Sequence, residues 1–130
     1  MPRYLVVEAD GPIQDDPYCT CGEFHLKSIH YEDHEKPLNT TREFYKTYPD
    51  LTEYECVFVS EANEKSYTEI SKDISHVVIH CWDFEWYMVY PCTSLEATKE
   101  MVSFLAYATQ GGSVGIMALT DTPSLDLFYE

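Results

Sequence analysis

The amino-acid sequence predicts an α+β fold: a single globular domain over residues 1–130, with a mostly antiparallel sheet of five or six strands and two or three helices packed on one face. Three observations predict it. A chain of 130 residues has the size of one ordinary domain. Hydrophobic residues make up 45% and aromatic residues 15%, which is enough for a core and excludes an acidic disordered tail. Short strand-like stretches alternate with segments that carry helix-capping motifs, as in two-layer α+β domains.

Three segments of the first half are predicted strands. Residues 3–8 form a short apolar run that ends before a Gly-Pro pair, which is typical of a buried strand. In residues 23–31 and 54–58, apolar and polar side chains alternate with a period of two, as on a strand with one buried face. Residues 10–22, which contain two prolines and two glycines, are predicted to be a loop.

A short helix is predicted between the second and third of these strands. Thr40 and Glu43 have the spacing of a capping box, in which the hydroxyl accepts an early backbone N–H and the carboxylate reaches back to the cap. We expect this helix to run to about Tyr48 and to end before Pro49.

Residues 63–73 are ambiguous. Tyr67, Ile70 and Ile74 stand at i, i+3 and i+7, which favours a helix. Residues 61–64 are equally compatible with a hairpin turn.

The second half predicts a hairpin, a long helix and a last strand. Residues 75–82 form the strongest strand, and a tight turn at 83–85 would pair it with residues 86–90. A second capping box at 93–96 predicts the start of a helix that ends at a Gly-Gly pair, and apolar residues at helical spacing line one face: Ala97, Met101, Phe104, Leu105 and Ala108. Residues 113–119 are an apolar strand. Residues 122–130 are a tail whose Leu125, Leu127 and Phe128 are expected to dock on the domain.

The charge of the chain is its most informative feature. There are 23 acidic residues against 8 basic ones, for a net charge of −15. Self-repulsion at this density destabilises the compact state, so a basic partner is the simplest explanation. Direct binding to DNA or RNA is not expected, because a phosphate backbone needs a basic patch and no Lys or Arg follows Lys99. Neither membrane insertion nor secretion is expected, because no apolar window approaches membrane-spanning length and Glu8 comes too early for a signal peptide.

The acids occur in small clusters, most of which have no nearby Lys or Arg. Residues two apart on an extended chain point to one side about 6.6 Å from each other, so such a pair forms a local row of carboxylates. That row is commensurate with the phosphate spacing of a nucleic acid, about 3.4 Å per nucleotide. Tyr is a common anchor in recognition surfaces. The predicted partner-binding residues are Asp15, Asp16, Glu32, Asp33, Glu35, Glu53, Glu55, Asp83, Glu85 and Tyr54.

A metal site is the main alternative, although neither a metal nor another cofactor is expected. Cys19 and Cys21 are followed by His25, His30 and His34, and thiolate and imidazole are the preferred ligands of zinc. A single residue separates the two thiols, however, whereas paired zinc thiolates usually stand two to four residues apart. A polar loop with two ordinary thiols is the favoured interpretation.

No catalytic residue is predicted. His76 and His80 flank the apolar run of the strongest strand. Four residues of strand separate them by about 13 Å, which is too far for the two side chains to share a ligand or a proton. The sequence has no glycine-rich phosphate loop and no serine elbow, which disfavours nucleotide chemistry by the common routes. The five cysteines are odd in number and scattered, as in reduced cytoplasmic proteins.

Together these features predict a small cytoplasmic inhibitor, not an enzyme, that binds a basic nucleic-acid-handling protein such as a nuclease and blocks its site by charge mimicry. In composition and size the chain is similar to phage-encoded anti-restriction and anti-CRISPR proteins, and to bacterial immunity proteins that neutralise nuclease toxins. Two alternatives stay open: a metal-binding or hydrolytic enzyme that uses the region from Cys19 to His34, and a plain adaptor domain with acidic solubility. A homodimer through an exposed strand edge is also compatible with the sequence.

Overall fold

The computed structural model describes residues 1–10, 25–47, 54–59, 64–82, 86–108 and 113–125. Over these ranges the chain forms eight strands and one helix: β1 (Arg3–Asp10), β2 (His25–Asp33), β3 (Tyr45–Thr47), β4 (Tyr54–Val59), β5 (Glu64–Ile70), β6 (His76–Trp82), β7 (Trp86–Cys92), α1 (Leu95–Ala108) and β8 (Ser113–Ala118). The strands form two antiparallel sheets, one in the order β2-β1-β5 and one in the order β3-β4-β7-β6-β8.

The predicted α+β fold, with two or three helices on one sheet, is wrong. The described chain is mostly β: the two sheets pack face to face, and α1 packs on the outer face of the five-stranded sheet. The five-stranded sheet is therefore covered on one face by the other sheet and, over β6, β7 and β8, on the opposite face by α1. On β6, Val77 and Ile79 face the other sheet while Val78 faces α1. A continuous apolar run of this kind predicts a buried strand but does not say what covers each face.

Two apolar cores result from this layering. The core between the sheets is built on residues such as Leu5, Ile29 and Val57, all less than 2% exposed. The core under α1 is built on Leu105 and Ile116, together with further residues of the five-stranded sheet. Each large apolar side chain buried in this way contributes about 1.5–3 kcal/mol to folding, so the two cores hold the three layers together.

The helix predicted from Thr40 to Tyr48 is also wrong. The backbone N–H groups of Thr41 and Arg42 both donate to the carbonyl of Tyr67, at 2.9 and 3.2 Å, on the edge of β5. Tyr45 then pairs with Cys56 at the start of the β3–β4 ladder. Long-range strand pairing has therefore taken the backbone donors that a capping box would have served, since local propensity is readily overridden by tertiary contacts.

The ambiguous segment 63–73 contains β5 and not a helix. Its inward side chains are Ser66, Thr68 and Ile70, which are 2%, 3% and 8% exposed, and they alternate with exposed Lys65 and Glu69. The Ser66 hydroxyl is satisfied at 3.4 Å by the carbonyl of Val7 on β1. Two of the three buried residues are polar, so the period of two is invisible to a hydrophobicity pattern.

The second half of the chain follows the prediction more closely. β6 and β7 pair as the expected hairpin, with Trp82 opposite Trp86. The predicted long helix is α1, but its cap is one residue later than expected, because the Ser94 hydroxyl accepts the N–H of Ala97 at 3.0 Å. Strand β8 closes the sheet beside β6, as the last apolar run predicts.

Two irregular segments hold the three-stranded sheet. The strap, residues 34–42, starts where the N–H of His34 donates to the carbonyl of Pro2 at 3.1 Å, and the N–H of Leu38 donates to the Tyr4 hydroxyl at 2.7 Å. The segment after β8 runs along the free edge of β2, where the N–H of Ile29 donates to the carbonyl of Ser124 at 2.9 Å. The predicted tail thus contacts β2 through Ser124, but Leu125, which was expected to dock, is 36% exposed. Leu127 and Phe128 lie outside the described part of the chain.

Candidate functional site

Several strands start or finish at one end of the sandwich, which we call the acidic end. The last residue of β1 pairs with the first residue of β2, and the end of β6 pairs with the start of β7. The four residues 60–63 join β4 to β5, so this end belongs to both sheets. The described strand ends that define it are Asp10, His25, Val59, Glu64, Trp82 and Trp86.

The connections that leave from the acidic end are rich in acids. Residues 11–24, 60–63 and 83–85 together contain six Asp and Glu and no Lys or Arg. They include Asp15, Asp16, Asp83 and Glu85, four of the acids predicted to bind a partner. These four side chains lie outside the described residues, so their role stays a prediction. The sequence alone does not bring the three connections together, because they are separated by up to 60 residues of chain and share an end only through the strand order.

A second group of predicted partner-binding residues lies on the β3–β4 hairpin, away from the acidic end. Glu55 on β4 is exposed, and Glu53 lies outside the described residues. Tyr54 is partly buried, with its ring 5.5 Å from that of Phe104 and 6.4 Å from that of Tyr90. The predicted residues therefore do not form one continuous patch.

Glu32 is bonded within the chain, between two histidines. The Nε2 atom of His30 lies 2.7 Å from one carboxylate oxygen of Glu32, and the Nε2 atom of His34 lies 3.0 Å from the other. Burial opposes ionisation of Glu32, but these two hydrogen bonds outweigh it and hold the pKa of the carboxyl below its usual value. The three residues alternate along β2 and its end, so they share the outer face of the three-stranded sheet.

Asp33 is also bonded within the chain. Its two carboxylate oxygens accept hydrogen bonds from the Arg3 guanidinium at 2.8 and 3.1 Å. These hydrogen bonds hold the pKa of Asp33 below its usual value. The same guanidinium stacks over the Tyr31 ring, 3.9 Å from its centre. Of the predicted cluster at 32–35, Glu35 is left exposed at the surface.

The predicted metal alternative is only partly covered by the structure. Cys19 and Cys21 lie outside the described residues, as does the side chain of His25. Among the residues that the structure describes, no group of three His, Cys, Asp or Glu side chains is placed to hold a metal ion. His30 instead shares a carboxylate with His34, and its side chain is 6% exposed.

The remaining cysteines and histidines lie in the sheets. Cys56, Cys81 and Cys92 are buried free thiols, and burial raises the pKa of Cys92 to about 11, which disfavours the thiolate needed for nucleophilic attack. The Nδ1 atom of His76 lies 2.7 Å from the Ser75 hydroxyl, and His80 is buried. These environments are those of structural side chains.

The five-stranded sheet carries an aromatic surface that the sequence pattern does not reveal. Tyr45 and Phe58 lie on the face that carries α1, with their rings edge to face at 5.9 Å. Tyr45 is 37% exposed, and Phe58 and Met88 are partly exposed. The spacing of Tyr54, Cys56 and Phe58 places these side chains on one face, but only the position of α1 shows that this face is partly open.

Comparison of the chain with protein-family models, curated proteins and solved structures finds no match. Among the described residues, no helix has the length and apolar character needed to cross a membrane.

Proposed function

We propose that this chain is a small acidic inhibitor that binds a basic, nucleic-acid-handling protein and occupies its nucleic-acid site by charge mimicry. The observation that carries the proposal is the grouping of three acidic connections, with six acids and no base, at one end of a rigid double sheet. A surface that carries one sign of charge steers an oppositely charged partner over long range and raises its rate of association.

The distribution of bases supports the same interpretation. All eight Lys and Arg lie within the described residues and none lies in the connections at the acidic end. Among the described acids, Asp33 forms an ion pair with Arg3, and Glu8 lies 3.7 Å from Lys27. Both pairs join the neighbouring strands β1 and β2. The net negative charge per residue is therefore higher in the connections at the acidic end than in the rest of the chain. The buried free thiols of the five-stranded sheet suit a reducing compartment, and we place the inhibitor in the cytoplasm.

The test is capture of partners from a lysate of the native host on the immobilised chain, followed by elution with duplex DNA or RNA at constant ionic strength. Mimicry requires that nucleic acid displace the partner and that the association rate of the purified pair fall steeply as salt rises. Charges separated by more than a Debye length of about 8 Å are screened in physiological salt. A tight complex that ignores both nucleic acid and salt would contradict the proposal.

A charge-matched pair of variants locates the surface. Asp83→Lys combined with Glu85→Lys changes the acidic end, while Asp73→Lys combined with Asp121→Lys makes the same change in net charge at exposed positions away from it. We expect the first variant to lose association rate by tenfold or more and the second to lose much less. Equal losses would show that net charge, and not the acidic end, governs binding.

A further inference from the structure

The aromatic surface of the five-stranded sheet is an open part of an otherwise covered face. Helix α1 packs against β6, β7 and β8. On the β3–β4 side of the same face, Tyr45 is exposed, and Tyr54, Phe58 and Phe104 are partly exposed. A shallow groove beside this surface is lined by the α1 residues Lys99, Glu100, Ser103 and Phe104. Several aromatic rings thus lie at the surface, on the part of the sheet that α1 does not cover.

Tyr45 is held by two neighbouring side chains. The hydroxyl lies against the buried Cys56 thiol, and burial together with this contact raises the pKa of Tyr45 above its usual value. The Tyr45 ring also packs edge to face with the Phe58 ring. A ring held by these two contacts loses less freedom when it binds a ligand, which favours binding.

The charge around this surface favours a cation. Residues 43–55, which contain the β3–β4 hairpin, include four acids and a single base, Lys46. The face of an aromatic ring attracts cations, and a guanidinium binds it better than an ammonium because it is planar and more weakly hydrated. Within this chain, Arg3 stacks 3.9 Å above Tyr31, whereas Lys65 lies 5.7 Å from the centre of the Tyr67 ring.

We infer that this aromatic surface, centred on Tyr45 and Phe58, binds arginine side chains of the basic partner. The inference rests on the proposed function, which supplies the basic partner, and it adds a second, chemically selective contact to the charge of the acidic end. A second copy of the chain is a poor occupant, because it brings another 15 net negative charges to an acidic surface.

The test uses labelled nona-arginine and nona-lysine peptides, which carry equal charge, titrated into the full chain at physiological salt. We expect nona-arginine to bind about fivefold more tightly than nona-lysine, as for a few exposed cation–π contacts. Tyr45→Leu should remove most of this preference by weakening nona-arginine alone, and Tyr45→Phe should keep it. Tyr67→Leu, a matched aromatic deletion on the other sheet, should also keep it. Near-UV circular dichroism checks the fold of each variant.

The outcomes separate this inference from the proposed function. If both peptides bind equally, and both are weakened by Asp83→Lys with Glu85→Lys, charge mimicry stands and the arginine surface is refuted. Retention of the arginine preference in Tyr45→Leu refutes it too, as does a dimer that sedimentation detects in the wild-type chain and not in Tyr45→Leu. If neither peptide binds, the inference and the proposed function both fail.

Discussion

Leu105 tests whether α1 is a structural layer of this fold. Its side chain is 0% exposed and packs in the core between the helix and the five-stranded sheet, near Val78 and Ile116. Leu105→Ala removes about three carbon atoms, worth roughly 0.8 kcal/mol each in lost transfer free energy. The cavity left in a layer fixed between a helix and a sheet adds to this loss, so we expect a total of about 3–4 kcal/mol. The change does not perturb the helix itself, because Ala has the highest helix propensity.

The measurement is urea unfolding followed by circular dichroism. Domains are stable by about 5–15 kcal/mol, so a loss of this size shifts the midpoint clearly. Leu95→Ala is the matched control, since Leu95 is in the first turn of the same helix and 40% exposed. Its loss should stay below about 1 kcal/mol. Equal losses in the two variants, or a loss below about 1 kcal/mol for Leu105→Ala, would refute the packing of α1 described above.

Three further predictions concern the helix cap, the histidine-bound carboxylate and the exposed acids. Ser94→Ala should lower the free energy of unfolding by about 1 kcal/mol, and Thr93→Ala by clearly less; the reverse order would place the cap at Thr93. Because the pKa of Glu32 is below its ordinary value of 4.5, its ionised form stabilises the fold above that pH, and this contribution is lost as the pH falls through the folded pKa. The stability difference between the wild-type chain and Glu32→Gln should therefore shrink as the pH is lowered from about 6 to 3. A constant difference for Glu32→Gln over this pH range would contradict the reasoning. Glu55→Lys should leave the melting temperature within about 2 °C while slowing partner association, since an exposed carboxylate contributes little to stability; a larger loss on melting would show that Glu55 holds the hairpin.

The sequence predicts those helices and strands whose buried positions are occupied by apolar side chains. β1, β6 and β8 are continuous apolar runs, and α1 carries a stripe of helical period, so each is recognisable locally. β5 is not, because Ser66 and Thr68 face the core and are accommodated there by a neighbouring strand. The capping box at Thr40 is likewise outweighed by hydrogen bonds to the carbonyl of Tyr67, 27 residues later in the chain. Neither outcome can be derived from local propensity.

Some features of the candidate site can likewise be predicted from the sequence, and others cannot. The acid clusters are visible in the sequence, and the alternation of His30, Glu32 and His34 places them on one face of a strand. That they bond to one another depends on side-chain packing on the sheet. That three acidic connections share one end, and that Tyr45 lies at the surface, depends on strand order and on where α1 ends its coverage, which are properties of the whole topology.

The bond between Ile29 and Ser124 has a consequence for synthesis of the chain. Among the residues that the structure describes, the outer hydrogen-bonding partner of β2 is a segment made some 95 residues later, which leaves the ribosome after the rest of this sheet. An unpaired strand edge is a template for association with other nascent chains. During that interval the chain carries many carboxylates and few compensating bases, and like-charged chains repel one another. Repulsion of this kind opposes association of nascent chains through that edge.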